Sequence, residues 1–183
     1  MTAGAAPPRA RMSKRSAGRP RGSNTDVRRE MIIAAAMRVF AYRGYDAASM
    51  QEVADLVDIT RPAVHHHFPG KAPLYRAALE RACATAMTPE AVQPFRQFTP
   101  EQSDLRVACA LLGTSLAQSH RIAEIAPRIA GVAADLRRLC ADALGSTGDE
   151  QQVDLLVTVI VGRWVLIACD LSWLDLDIDV DRL

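Results

Sequence analysis

The 183-residue sequence predicts an all-α fold, with three helices in a compact N-terminal unit and a larger helical unit after it. Three observations carry that expectation. Apolar residues recur at the three- and four-residue spacing of helix faces along most of the chain. A Ser-x-x-Glu pattern at Ser49 to Glu52 has the form of a capping box, which starts a helix. Gly44 and the pair Pro69-Gly70 fall between periodic stretches, where helices stop. No strand alternation or internal repeat interrupts these stretches. With 49% hydrophobic and 23% charged residues, the chain can bury one or two cores and is neither disordered nor fibrous by composition.

Residues 1–23 carry Arg9, Arg11, Lys14, Arg15, Arg19 and Arg21, no acid, and much Pro, Gly, Ser and Ala, and read as a flexible basic arm. The first helix is expected from Thr25 to Arg43, with Ile32, Ala35, Ala36, Val39 and Phe40 in one apolar stripe and Gly44 as its stop. Ser49 caps a short second helix that buries Met50, Val53, Ala54 and Val57 and ends at Asp58. Asp tolerates the left-handed conformation that a tight turn needs. Thr60 then caps a third helix with Pro62 in its first turn, where a missing N–H costs nothing. Pro69-Gly70 breaks it, and a fourth helix runs from about Lys71 to Ala86, carrying Leu74, Ala77, Ala78 and Arg81.

After a Pro-containing linker from Thr88 to Pro100, helices are expected near 101–118, 121–144 with a break at Pro127, and 149–171. In the last of these, LLVTVIVGRWVLIAC (Leu155 to Cys169) is apolar nearly all round. At about 15 residues with Arg163 inside, that run reads as too short and too charged for a bilayer, so no membrane partner is expected. Such a helix must be covered by protein on all sides. Thr158 and Gly162, one turn apart, and Leu166 offer a close-approach surface, read as a homodimer seam; the alternative is an ordinary intrachain core helix. The closing SWLDLDIDVDRL leaves little room for a further helix.

The net charge of +1 conceals a division. Up to Arg81 the chain holds 14 of its 22 Lys and Arg and 7 of its 21 Asp and Glu, leaving 8 against 14 in the remainder. The N-terminal part is therefore suited to a polyanion, and the C-terminal part to solvent or to copies of itself. The opening residues lack the apolar run of roughly 7 to 15 residues of a signal peptide, so a cytoplasmic location is expected. Cys83, Cys109, Cys140 and Cys169 lie about 30 residues apart with no C-x-x-C. That is a poor disulfide or zinc framework, and each is expected to be a small buried hydrophobe.

The stretch DITRPAVHHHFPGK, residues 58–71, poses the functional question. A metal site on a helix wants ligands on one face, but three consecutive histidines point about 100° apart, so no metal is expected. Acid–base catalysis lacks a partner carboxylate or nucleophile, and no cofactor is signalled. What remains is a capped helix, a turn and a second helix bearing Thr60, Arg61, Ala63, His65, His66 and His67, with Lys71 just after it. A helix-turn-helix presents its recognition helix to the major groove of double-stranded DNA in this way.

Residues 32–79, IIAAAMRVFAYRGYDAASMQEVADLVDITRPAVHHHFPGKAPLYRAAL, resemble the DNA-binding domain of the tetracycline-repressor (TetR) family of bacterial transcription regulators. The resemblance lies in AA-x-x-x-F at 35–40, the G-Y-x-x-x-S-M turn into helix two, and H-F-P-x-K-x-x-L at the end. Two departures stand out: Asp58 occupies the place of the usual turn glycine, and His65 that of a tyrosine. The resemblance implies an arm at 1–23, a helix-turn-helix DNA-binding domain at 24–70, and a helical effector-binding and dimerisation domain at 71–183 whose first helix, 71–86, links the two.

Chemistry gives Arg61 two hydrogen bonds to guanine O6 and N7, and Gln51 a pair to adenine N6 and N7; the Ala63 methyl suits a thymine methyl. The resemblance implies that His65, His67 and Lys71 hold phosphates, with His66 on a base or the backbone, and it includes Ser49 and Thr60 in the contact surface. One of the three histidines packing on helix one instead is the alternative, as is a merely solvated Arg61 or Gln51. Val64 and Phe68, four apart, belong to the core. In the arm, AGRPRGS resembles Gly-Arg-Pro tracts that enter minor grooves through residues such as Arg19 and Arg21; general attraction to DNA is the other reading.

The resulting expectation is a dimeric repressor released from a palindromic operator by a small hydrophobic effector, with an architectural DNA-binding protein as the alternative. An enzyme is not expected: GTSLAQSH at 113–120 comes near the G-x-S-x-G elbow, but that motif joins a strand to a helix and its flanks here read as helix. Candidate effector-pocket residues are Leu112, Leu116, His120, Ile129, Val132, Leu136 and Trp164, and the aromatic content of 5% favours an aliphatic ligand.

Overall fold

The computed structural model describes residues 22–90, 103–123, 125–145 and 148–171. Seven α-helices make up these residues, with no strand among them: α1 (Gly22–Ala47), α2 (Met50–Leu56), α3 (Arg61–His67), α4 (Lys71–Ala86), α5 (Ser103–Gln118), α6 (Ala126–Leu144) and α7 (Glu150–Ala168). The all-α class is as the apolar spacing predicts.

The expected stripe of α1 is buried, but so are Ile33, Met37 and Ala41. The reason is that α1 is nearly surrounded, packing on α2, α4 and α5. At its end Gly44 takes φ 72°, ψ 175°, outside helical space, and the hydrogen-bonded turns resume to Ala47. Lys71 lies beside Tyr45 and Arg81 pairs with Glu30, so α4 runs antiparallel to α1. Helix α5 runs parallel to it: Asp104 lies near Arg38, the Thr114 hydroxyl donates to the Ala41 carbonyl, and Gln118 meets Tyr45.

Helix α7 crosses antiparallel over α5. A methyl group at Gly113 would stand 2.3 Å from the Trp164 carbonyl oxygen, so the absent side chain lets the two backbones touch. At the other end of the crossing Arg106 donates to Asp170. Helix α7 starts on a capping box between Asp149 and Gln152 and also packs on α6.

Two expectations change in the C-terminal part. The helix expected at 121–144 is shorter: Ser119–Arg121 form a 3-10 turn and α6 begins at Ala126. Pro127 therefore sits in a first turn, where it lacks no hydrogen bond, instead of breaking a helix interior. Helix α7 is not covered on all sides by the described residues. Val153, Ile160, Trp164 and Ile167 are buried, whereas Leu155, Thr158 and Gly162 are exposed and Leu166 half-buried. At 19 residues α7 is also long and apolar enough to cross a membrane by those criteria alone. One face of it is packed on α5 and α6.

Candidate nucleic-acid interface

The N-terminal unit is assembled by its caps. The Ser49 hydroxyl accepts from the Glu52 backbone N–H at 3.1 Å, and the Glu52 carboxylate accepts from the Ser49 backbone N–H at 2.9 Å. That N–H, with the Ser49 hydroxyl and then the Arg43 guanidinium at 3.3 Å, holds the Glu52 carboxyl below its ordinary range. Helix α2 ends at Leu56, and Asp58 enters the left-handed region at φ 51°, so the aspartate performs the turn expected of it. The Thr60 hydroxyl then accepts from Ala63 N–H at 3.4 Å and starts α3.

The residues of α3 and its C-cap, Phe68, divide by angle. Val64 and Phe68 are buried, and Arg29 of α1 stands 4.9 Å above the Phe68 ring. Arg61 and His65, one turn apart, are exposed with Pro62 and His66 beside them. Ala63 and His67 are half-buried on the flank, and the His66 and His67 rings meet edge to face at 5.6 Å. The three histidines thus fan out, as consecutive residues on a helix must. Gln51 is exposed near the start of α2, its amide donating to Asp55 at 2.7 Å. Ser49 and Thr60 are exposed, with their hydroxyls engaged in capping.

Lys71, to which the resemblance gives a phosphate, is engaged within the chain. Its ammonium donates to the carbonyls of Tyr45, Asp46 and Ala48 at 2.8, 3.1 and 3.2 Å, which uses all three hydrogens. It also stands 4.6 Å from the Tyr45 ring centroid. Tyr45 packs against Phe40 and Tyr75, and Tyr75 bonds the buried Ser115 hydroxyl of α5 at 2.7 Å. Sequence reasoning gave Tyr45 no role. The signal available was a cation and an aromatic on either side of a two-helix insertion, which is too common a pairing to single out.

The second domain places its candidate residues less compactly. Leu112, Ile129, Val132, Leu136 and Trp164 are buried, Leu116 is half-buried, and His120 is exposed on the 3-10 turn. The two cavities described, about 510 and 190 Å³, line α1 with α2 and α1 with α4, and contain none of the seven. Among the described residues no group of three or more His, Cys, Asp or Glu is placed to hold a metal. The Gly113 to His120 stretch is the end of α5 and the 3-10 turn, with Ser115 buried and donating to the Leu111 carbonyl. Cys109 and Cys140 are buried as expected, but Cys83 is half-buried and Cys169 exposed. Burial pushes the Cys109 thiol up to about 12. Arg19 and Arg21 lie outside the described residues.

A capped short helix, a tight turn and a second short helix with a basic outer edge, all held on a long helix, define a helix-turn-helix domain with a helical second domain behind it. Residues 32–78 match the family described as bacterial regulatory proteins, tetR family. That match covers the N-terminal unit, α1 to the start of α4, which carries the helix-turn-helix. It is similar to the HTH-type transcriptional activator FasR of Mycolicibacterium smegmatis, 38% identical over 101 residues. That alignment takes in 54% of this chain and 46% of the relative, so it spans about half of each.

Solved structures share the fold. A TetR-family regulator from Rhodococcus sp. superposes with a TM-score of 0.58 at 17% identity, over 80% of this chain and 95% of the other. GusR of Salmonella enterica gives 0.52 at 20%, over 84% and 90%.

Proposed function

We propose that the chain is a sequence-specific DNA-binding transcription regulator that works as a homodimer on a palindromic operator. The observation that carries this reading is the outward edge of α3, where Arg61, His65 and His66 are exposed while Val64 and Phe68 anchor the opposite side. An edge of that chemistry suits base and phosphate contact in a major groove. Arg61 and Gln51 read bases, the Ala63 methyl meets a thymine, His65 to His67 and the exposed Ser49 and Thr60 face the backbone, and Arg19 and Arg21 of the arm enter the minor groove. Lys71 is left out of this set, because its three donors hold the Tyr45 to Ala48 loop.

Dimerisation is assigned to the outer face of α7. Leu155, Thr158, Gly162, Leu166 and Cys169 recur at spacings of three and four on that face, and a side chain added at Gly162 meets open space. Gly162→Glu places a charge in the seam and should give monomers in sedimentation; an unchanged dimer would move the seam elsewhere.

A small hydrophobic effector would enter the core between α5, α6 and α7, where Leu112, Ile129, Val132, Leu136 and Trp164 lie buried. The family resemblance favours repression, and the name of the mycobacterial relative favours activation. Selection of bound sites from a random DNA pool, followed by a reporter driven through the selected site, tests the reading. A palindromic site with half-sites about one helical turn apart supports it, and recovery of no preferred sequence removes it in favour of an architectural protein. The sign of the reporter response separates repressor from activator.

A further inference from the structure

The two most exposed large apolar side chains of the N-terminal unit that share a cavity are Tyr42, 69% exposed, and Leu56, 58% exposed. With Val39 they floor a groove of about 510 Å³ between α1 and α2, rimmed by Arg38, Arg43, Glu52 and Asp55. Both acids are engaged locally: Glu52 by Ser49 and Arg43, Asp55 by the Gln51 amide. Arg38 stands at the rim 3.8 Å from Asp104 of α5. Each rim arginine already faces an acid, Arg43 with Glu52 and Arg38 with Asp104, so the rim is polar and mixed in charge, and the apolar floor calls for a segment that is apolar on one side and polar on the other.

The chain contains one such segment, past the end of α7. From Leu174 to Asp181 it alternates strictly: Leu174, Leu176, Ile178 and Val180 against Asp175, Asp177, Asp179 and Asp181. In an extended conformation all four apolar side chains face one way and all four carboxylates the other. Helical spacing would mix them. Such a segment is amphipathic only when extended, and needs an apolar surface to lie on.

Its starting point is suitably placed. Asp170 adopts φ 56°, with its N–H on the Ile167 carbonyl and that of Leu171 on the Leu166 carbonyl, a capping turn that ends α7. Arg106 in the first turn of α5 holds the Asp170 carboxylate at 2.9 Å. Two residues away on that turn, Asp104 faces Arg38 at the groove rim. Asp170 is thus linked to the groove rim through Arg106 and Asp104 in the first turn of α5. The segment's 12 residues reach up to about 40 Å when extended, more than enough to cross α5.

We propose that residues 172–183 dock in extended form in the α1/α2 groove of their own chain, with Leu174 to Val180 on Val39, Tyr42 and Leu56 and the aspartates toward Arg38, Arg43 and solvent. The end of the C-terminal domain is thereby strapped to the unit that carries α2 and α3. This docking does not depend on the DNA-binding reading.

The test uses a fluorescein-labelled peptide of residues 172–183, titrated into the full chain, into a chain shortened after Leu171, and into the shortened chain carrying Tyr42→Glu and Leu56→Glu. Both substituted side chains are exposed, and circular dichroism checks that the fold survives. Saturable binding to the shortened chain, at least about tenfold weaker binding to the full chain because its tethered segment competes, and loss of binding with the two glutamates support the proposal. Absence of binding to the shortened chain, equal binding by full and shortened chains, or binding that survives the two glutamates overturns it. Resistance of the full chain that disappears on dilution through the dimer range gives the groove to a second copy and also overturns it.

Discussion

The ammonium of Lys71 lies 2.8 Å from the Tyr45 carbonyl oxygen and 4.6 Å from the centre of the Tyr45 ring, so one side chain fixes both the backbone and the aromatic face of the same residue. With the further bonds to Asp46 and Ala48, it ties the start of α4 to the loop that leads into α2. Lys71→Met keeps the aliphatic stem and removes the donors, leaving half-buried carbonyls without a charged partner. We expect a loss of about 2 kcal/mol in chemical denaturation. The slope of log K for DNA against log salt should stay unchanged; a fall of about 0.9 would return Lys71 to the phosphate backbone.

The joint beneath that loop is just as specific. Gly44 at φ 72° lies where a β-carbon would stand 2.6 Å from the Gln118 side chain, and the Oε1 of that same side chain accepts from Tyr45 N–H at 3.3 Å. Gly44→Ala meets both backbone strain and collision, for an expected cost of about 2 to 3 kcal/mol. In a Gln118→Ala background the collision is relieved and the backbone strain, about 1 to 2 kcal/mol, remains. Equal costs in the two backgrounds would show that Gln118 already yields.

Arg61 is the sharpest test of specificity. If its guanidinium takes a guanine O6 and N7, Arg61→Ala should cost about 1 to 3 kcal/mol on the selected site and relax preference at one base pair. The same substitution should change binding to random DNA by no more than the loss of one positive charge. Equal losses on both would make Arg61 a phosphate contact.

The local devices of this fold were legible because each is written in a few adjacent residues. Ser49 with Glu52, Thr60 with Pro62, and Asp58 at the turn each act within one helical turn, and their chemistry dictates the geometry. Relationships across the chain were not legible. Lys71 finds carbonyls 23 to 26 residues away, and Gly113 serves a crossing with Trp164 that no spacing encodes. The outer edge of α3 followed from the apolar pair Val64 and Phe68, since burying one side of a short helix exposes the other. The effector pocket had no such handle, because apolar core and apolar ligand site use the same residues; five of the seven candidates are simply buried here. Cys169 illustrates the converse: a type that is usually buried stands exposed because it caps the end of α7, past the packed face.

The three histidines supply a pH test with a defined sign. A phosphate beside an imidazole favours the protonated ring, so DNA binding should be accompanied by proton uptake at whichever ring touches the backbone. The group binds more protons in the complex than in the free protein. Affinity is therefore greater on the acidic side and declines as pH rises. Each histidine charged in the complex also displaces about one counterion, which steepens log K against log salt by about 0.9 at the acidic end. His65 and His66 are exposed on the outer edge of α3, whereas His67 is half-buried on its flank, so the effect should reside mainly in the first two. Replacing both by Gln keeps hydrogen-bonding capacity without the titrating charge, and should flatten both the pH and the acidic salt trends without lowering stability. Operator titrations at about pH 6 and 8 and several salt concentrations provide the measurement. A double variant with the same pH dependence as the parent would remove His65 and His66 from the phosphate contacts and leave Arg61 and Gln51 as the readers on a neutral edge.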